Sequence, residues 1–349
     1  MIPYIVAALS ILLIRVFFPT YRSLTPPEKK KYIFWALLPA FILSAFRGNA
    51  VGPDTGTYIE NYKILLADPE YFIEQTRMES GFVYFMYILS YFSAAPQWIF
   101  ILSSLLLYFS IGHFVYKNAT EPTFILFFFI TLGLFQFTLS GIRQTIAISL
   151  SLFTYELIKD KRLLLFMIMI AISMQFHKSA IFFLPAYFVA NRHINRYLLL
   201  IILLFFFFIF PIENILLSTA SALEYDYGIE KTGNGYIFFI ISILIVIAGY
   251  ATEQRIKTNQ FAICLDLNII HALLWTLRLI SRTAERVTFY YSPYAYLALS
   301  EWVVSIRNKE HKALIIAGII LLCLILYVKR LYSGVHIIPY SFCNLSDIF

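Results

Sequence analysis

Long apolar runs separated by short polar breaks repeat along the chain, as at 124–139, 197–211 and 236–248. A bilayer holds no water to satisfy exposed backbone groups, so successive runs of this kind read as membrane-spanning helices. The pattern predicts an all-α, polytopic integral membrane protein with about twelve spans. They fall near 2–18, 32–47, 97–116, 122–139, 143–158, 162–177, 179–190, 197–212, 236–250, 260–280, 286–304 and 312–328. Residues 1–349 then form a single helical membrane domain. Several runs are shorter than the about 20 residues of a full crossing.

Composition agrees with the pattern. Of the 349 residues, 60% are hydrophobic and 13% charged, against about 25% charged in a typical soluble domain. The mean hydropathy is +0.76. The run at 2–18 lacks a basic leader and a small-residue cleavage site, which predicts a retained first helix. The three cysteines, Cys264, Cys323 and Cys343, have neither metal nor redox spacing.

The formal net charge of +7 raises nucleic acid as a partner, but the basic residues cluster in the breaks between apolar runs. Such clusters mark cytoplasmic ends of spans and exclude a nucleic-acid reading. They are Arg22 with 29–31, "KDKR" at 159–162, "NRHINR" at 191–196, "EQRIK" at 253–257 and "IRNKEHK" at 306–312. All fall inside if 81–94 does not span but dips into, or lies along, the outer interface. Both termini are then extracytoplasmic, as are the large loop 47–80, a second loop 213–235, and the turns at 140–143, 176–179 and 281–286.

This orientation places Arg143, in "SGIRQTIAISL", at the outer membrane face in the first turn of a helix capped by Ser140 or Gly141. A helix N-terminus already favours an anion, so a cation there worsens the local dipole energy unless an anionic group binds. The alternative is an arginine that snorkels to lipid headgroups. Arg278, Arg282 and Arg286 follow a four-residue spacing, so a continuous helix carries them in one stripe extended by Tyr290 and Tyr294. Guanidinium groups bind phosphate oxygens in pairs, and several together suit a diphosphate. Glu285 can neutralise one of them, and interfacial snorkelling again competes.

His177, followed by Lys178 and Ser179, stands at another outer boundary, where a lone histidine is either structural or a base. Asp54, Glu60 and Glu79 supply carboxylates in the outer loop, to hold sugar hydroxyls, take a proton or simply be solvated. The "EYD" at 224–226 is a weak acidic pair on the side where nucleotide sugars are not expected. No P-loop, zinc spacing, nucleophile elbow or dinucleotide fingerprint occurs. The polar groups crowd one membrane face, whereas a transporter lines its midplane.

Six stretches together resemble the EpsG-like, Wzy-type polysaccharide polymerases. They are "FRGNAVGPDTGTYIENY" (46–62), "ESGFVYFMYILSYF" (79–92), "SGIRQTIAISL" (140–150), "IAISMQFHKSAIFFLPAYF" (170–188), "ERVTFYYSPY" (285–294) and "IIPYSF" (337–342). The "GIRQ" and "FHKSA" pieces are the most specific. The family's Gly-x-Asp…Tyr motif reads Gly52, Asp54 and Tyr58 here, while its Glu-Pro-Gly-Tyr motif departs to "ESGF". The resemblance implies polymerisation of polyprenyl-diphosphate-linked oligosaccharide repeat units, such as O-antigen, at the outer face of the bacterial inner membrane. This chemistry requires no cofactor, and because arginines and not a carboxylate cluster dominate the outer face, turnover without a metal is expected. The partners implied are the lipid-linked donor and acceptor and membrane lipid, and the reading leaves open whether the chain works alone or with a separate chain-length regulator.

Under this reading Arg143, Arg282 and Arg286 hold the donor diphosphate, supported by Gln144 and Arg47. Asp54 or His177 activates the acceptor hydroxyl, with Asp54 preferred because Lys178 beside His177 lowers its basicity. Tyr58, Glu79, Lys178, Arg278, Tyr290 and Tyr340 complete the substrate-binding set. The alternatives are a flippase for the same lipid-linked units and a membrane acyltransferase that decorates the polysaccharide.

Overall fold

The structure is a computed structural model that describes residues 1–18, 20–191, 235–253, 256, 258–279, 283–332, 336–344 and 348. Among the described residues the regular elements are helices, and β structure is limited to one isolated antiparallel bridge between Arg47 and Phe342. In chain order they are α1 (Ile2–Phe17), α2 (Pro26–Ala45), α3 (Thr55–Ala67), α4 (Pro69–Gln75), α5 (Ser80–Ser90) and α6 (Gln97–Asn118). There follow α7 (Pro122–Thr131), α8 (Leu134–Thr138), α9 (Ile142–Lys159), α10 (Leu163–Met174), a 3-10 turn (Lys178–Phe183) and α11 (Pro185–Ala190). After the long apolar run at 197–212, which lies outside the described residues, come α12 (Tyr236–Glu253), α13 (Asn259–Arg278), α14 (Thr283–Thr288), α15 (Ser292–Ser305) and α16 (Lys309–Tyr332).

Local chemistry sets many of these starts. Thr25 and Glu28 form a capping box ahead of α2, with Pro26 in its first turn. Asp68 accepts from the Tyr71 N–H at 3.0 Å to start α4, and Pro69 follows it. Thr258 accepts from Phe261 to start α13, and Pro293 lies in the first turn of α15.

Among the described residues four helices, α6, α12, α13 and α16, are long and apolar enough to cross a membrane, and α1, α5, α7, α10 and 178–190 are shorter apolar pieces. The chain is thus a helical membrane protein. Three expected spans are not single helices. The run 122–139 breaks at Gly133, whose φ of +101° leaves the right-handed region and separates α7 from α8. The run 179–190 is a 3-10 turn plus a six-residue helix opened by Pro185. The run 286–304 divides into α14 and α15 around a turn at 289–291. The 11 residues of α5 reach about 16 Å, roughly half of a hydrocarbon core of about 30 Å.

Contacts divide the chain into two compact units: Met1–Phe153 with Ala171–His177 and Asn308–Phe349, and Thr154–Ile170 with Lys178–Arg307. In the first, α2 packs on α6, and α1 on α2 and α7. Helix α1 buries Tyr4, Ala7, Ala8 and Ile11 while exposing Ile2, Val6, Leu9, Leu13 and Val16. Apolar on both faces, it sets one against protein and leaves the other for lipid. A second cluster joins Tyr58 and Tyr62 of α3, Phe82 and Met86 of α5, Phe100 of α6 and Ile146 of α9. This cluster sets the relative positions of the starts of α3, α5 and α9.

In the second unit α12, α13 and α15 pack together around the buried face of α13. His271 there accepts from Trp275 Nε1 at 3.1 Å and meets Ser242 and Ser292 at 3.4 and 3.3 Å. It is a hydrogen-bonded core histidine.

Candidate functional site

Three helix starts in the first unit bring chemistry together. Arg143 is the second residue of α9, Glu79 immediately precedes α5, and Asp54 immediately precedes α3. Arg143 Nη1 donates to Glu79 Oε2 at 2.5 Å, and the two side chains are 21% and 5% exposed. The guanidinium also lies close enough to the Tyr58 hydroxyl, one turn into α3, for its charge to act on it. Burial holds the Tyr58 hydroxyl above its ordinary value of 10, and the Arg143 guanidinium acts in the opposite direction. The Asp54 charge lies close enough to Tyr58 to act on the same hydroxyl. Arg143 Nε is buried with no hydrogen-bond partner among the described residues.

Asp54 is fixed from the other side by Ser140, whose hydroxyl donates to Asp54 Oδ2 at 3.1 Å. Gly52 makes this approach possible. Its φ is +92°, and a Cβ built there would stand 2.2 Å from the Leu139 carbonyl oxygen. The "GPD" turn therefore lies directly against the turn that starts α9. The sequence left Arg143 either awaiting an anionic ligand or snorkelling to lipid headgroups. The structure answers with two internal carboxylates, Glu79 on the guanidinium and Asp54 on Ser140 at the helix start.

Arg47 is enclosed, at 1% exposure. It donates from Nη1 to the Ser44 carbonyl at 2.6 Å and from Nε to Thr55 Oγ1 at 3.4 Å, with its plane 4.3 Å over the Phe100 ring. Tyr4, Tyr58, Tyr108 and Tyr340 surround the charge. Arg47 is placed as an internal brace of the loop, because a group this enclosed does not reach a ligand at the surface. Gln144, the residue after Arg143, is buried on another face of α9, at 1% exposure. Tyr340 donates its hydroxyl to the Leu43 carbonyl at 3.2 Å.

His177 is buried at 5% exposure in the turn after α10. That turn packs on the start of α5: Ser80 Oγ donates to Gln175 Oε1 at 2.8 Å, and a Cβ on Gly81 would lie 2.7 Å from the Gln175 carbonyl oxygen. The glycine of "ESGF" is what permits that contact.

The remaining candidates belong to the second unit. Arg278 Nε donates to Glu285 Oε2 at 2.8 Å, so this guanidinium has its own carboxylate. Arg286 is half-buried on α14, Lys178 is half-buried at the head of the 3-10 turn, and the Tyr290 hydroxyl lies 3.1 Å from Ser179 Oγ. Arg282 and the 224–226 acidic pair lie outside the described residues. The stripe expected at 278, 282 and 286 runs through 280–282, outside the described residues; α13 ends at Arg278 and Arg286 lies on α14.

Sequence reasoning did not find Gln97 or the role of Ser140. Gln97 opens α6 and donates to the Ala45 carbonyl at 2.7 Å, where no spacing in the sequence announces it. Ser140 had been read only as a helix cap. Among the described residues no three His, Cys, Asp or Glu side chains gather as a metal site.

No curated protein and no solved structure matches the chain. The model of the EpsG family matches residues 30–342, a stretch that spans Arg47, Asp54, Tyr58, Glu79, Arg143 and the terminal Tyr340. The apolar helices agree with that match, and the chain belongs to the EpsG family, among the membrane proteins of polysaccharide biosynthesis.

Proposed function

We propose that the chain is a membrane glycosyltransferase that polymerises polyprenyl-diphosphate-linked oligosaccharide units at the outer face of the inner membrane. The observation that carries this reading is the convergence of Asp54, Tyr58, Glu79 and Arg143 in a member of this family. Transfer needs a base for an acceptor hydroxyl and hydrogen-bond donors for a departing diphosphate. Asp54 is half-buried, and Ser140 occupies only one of its oxygens, so the other serves as base. Burial keeps the Tyr58 hydroxyl protonated beside Arg143. With Glu79 fixing the guanidinium and the buried Tyr58 hydroxyl beside it, the exposed edge of Arg143 meets the diphosphate oxygens.

In this scheme the acceptor oxygen forms a bond to the anomeric carbon as the bond from that carbon to the diphosphate oxygen breaks. The electron pair leaves on the polyprenyl diphosphate, and the acceptor proton passes to Asp54. The surface polysaccharide of a deletion strain tests the reading. A polymerase mutant caps its lipid with one unmodified repeat unit. A cap with no unit would instead indicate a flippase, and normal chain length without a substituent an acyltransferase.

A further inference from the structure

Resting on the polymerase reading, we propose that residues 336–343 are a positioning strap that sets the loop carrying Arg47 and Asp54. The stretch 46–54 contains no helix, and its backbone groups take partners from the far end of the chain. Gly48 N–H donates to the Ser341 carbonyl at 2.8 Å, Cys343 N–H to Phe46 at 2.9 Å, and Gly52 N–H to His336 at 2.9 Å. Arg47 and Phe342 face each other across the antiparallel bridge. The strap is anchored in turn by α1 and α2: the Tyr4 hydroxyl donates to the Ile337 carbonyl at 2.8 Å, and Tyr340 reaches Leu43.

The fit is tight enough to transmit a displacement. A Cβ on Gly48 would stand 2.5 Å from Ser341 Oγ and 3.0 Å from the Phe342 carbonyl oxygen. Held at 48 and again at 52, the loop has little freedom left when it delivers Asp54 to Ser140. Tyr340 therefore acts through the loop and does not touch substrate, which replaces its expected place in the binding set.

The test uses purified full-length protein: wild type, Gly48→Ala and the double variant Gly48→Ala/Ser341→Gly. In Gly48→Ala, amides of 46–58 exchange with deuterium about tenfold faster while other peptides keep their rates. The kcat for joining a lipid-linked repeat unit falls about tenfold with KM held, because orientation and not binding is lost. Ser341→Gly restores most of both, which a general loss of folding would not allow. Unchanged exchange in 46–58, or faster exchange with wild-type kcat, overturns the strap. Wild-type protein that joins no units contradicts the polymerase reading, and the exchange arm then decides the strap by itself.

Discussion

Arg143 Nη1 and Glu79 Oε2 stand 2.5 Å apart, although 64 residues separate them in the chain. The pair ties the start of α9 to the start of α5. With Glu79 almost fully buried, removing its carboxylate leaves a guanidinium without its counter-charge. Glu79→Ala should cost about 3 kcal/mol of stability, read as a fall in thermal midpoint in one detergent. An unchanged midpoint would show that the pair is solvated and contributes little.

Tyr58→Phe should lower the rate of repeat-unit joining about tenfold, because the buried hydroxyl beside Arg143 helps to set the guanidinium. Burial holds this phenol above its ordinary value of 10, so it stays protonated below that pH. The loss should therefore be the same at pH 6 and at pH 9. A loss that disappears toward high pH would mean that the phenolate is the working form.

Gly52→Ala should be severe. The left-handed backbone alone costs a side chain about 1–2 kcal/mol, and the added methyl overlaps the Leu139 carbonyl. We expect a total above about 2 kcal/mol, with the rate falling further because Asp54 shifts from Ser140. Wild-type thermal midpoint and rate in this variant would show that the turn relaxes freely.

Much of the architecture was legible because hydropathy reports directly on solvent. Apolar runs and basic breaks identify a helical membrane chain without any alignment. The helix breaks were less legible: Gly133 looks ordinary within an apolar run, and only its positive φ divides the expected span. The stripe at 278, 282 and 286 presumed a continuous helix, which four-residue spacing alone does not guarantee. Asp54, Tyr58, Glu79 and Arg143 were each visible as residue types in motifs. Their mutual pairing was not, because contacts between distant segments leave no periodicity. Arg47 misled for the same reason, since a loop arginine in sequence is a buried brace in the fold.

The orientation is checked by single cysteines in a background without Cys264, Cys323 and Cys343. Thr57 and Asn308 are both exposed, so labelling reports sidedness and not burial. A cysteine at 57 should react with an impermeant thiol reagent in intact spheroplasts, and one at 308 only after lysis. Labelling of 308 in intact cells would reverse the orientation and move the Arg143 site to the cytoplasmic face.

The central claim is that Arg143 hydrogen-bonds charge developing on a leaving diphosphate while Glu79 and Tyr58 fix its plane. Lysine keeps the charge but loses the planar fork. The decisive measurement is the initial rate at which purified Arg143→Lys joins lipid-linked repeat units, compared with wild type at matched protein level and thermal midpoint. Losing one preorganised donor should slow the reaction roughly a hundred- to thousand-fold, about 3–4 kcal/mol. A rate equal to wild type would contradict the account, leaving Arg143 a snorkelling residue that lysine replaces equally well.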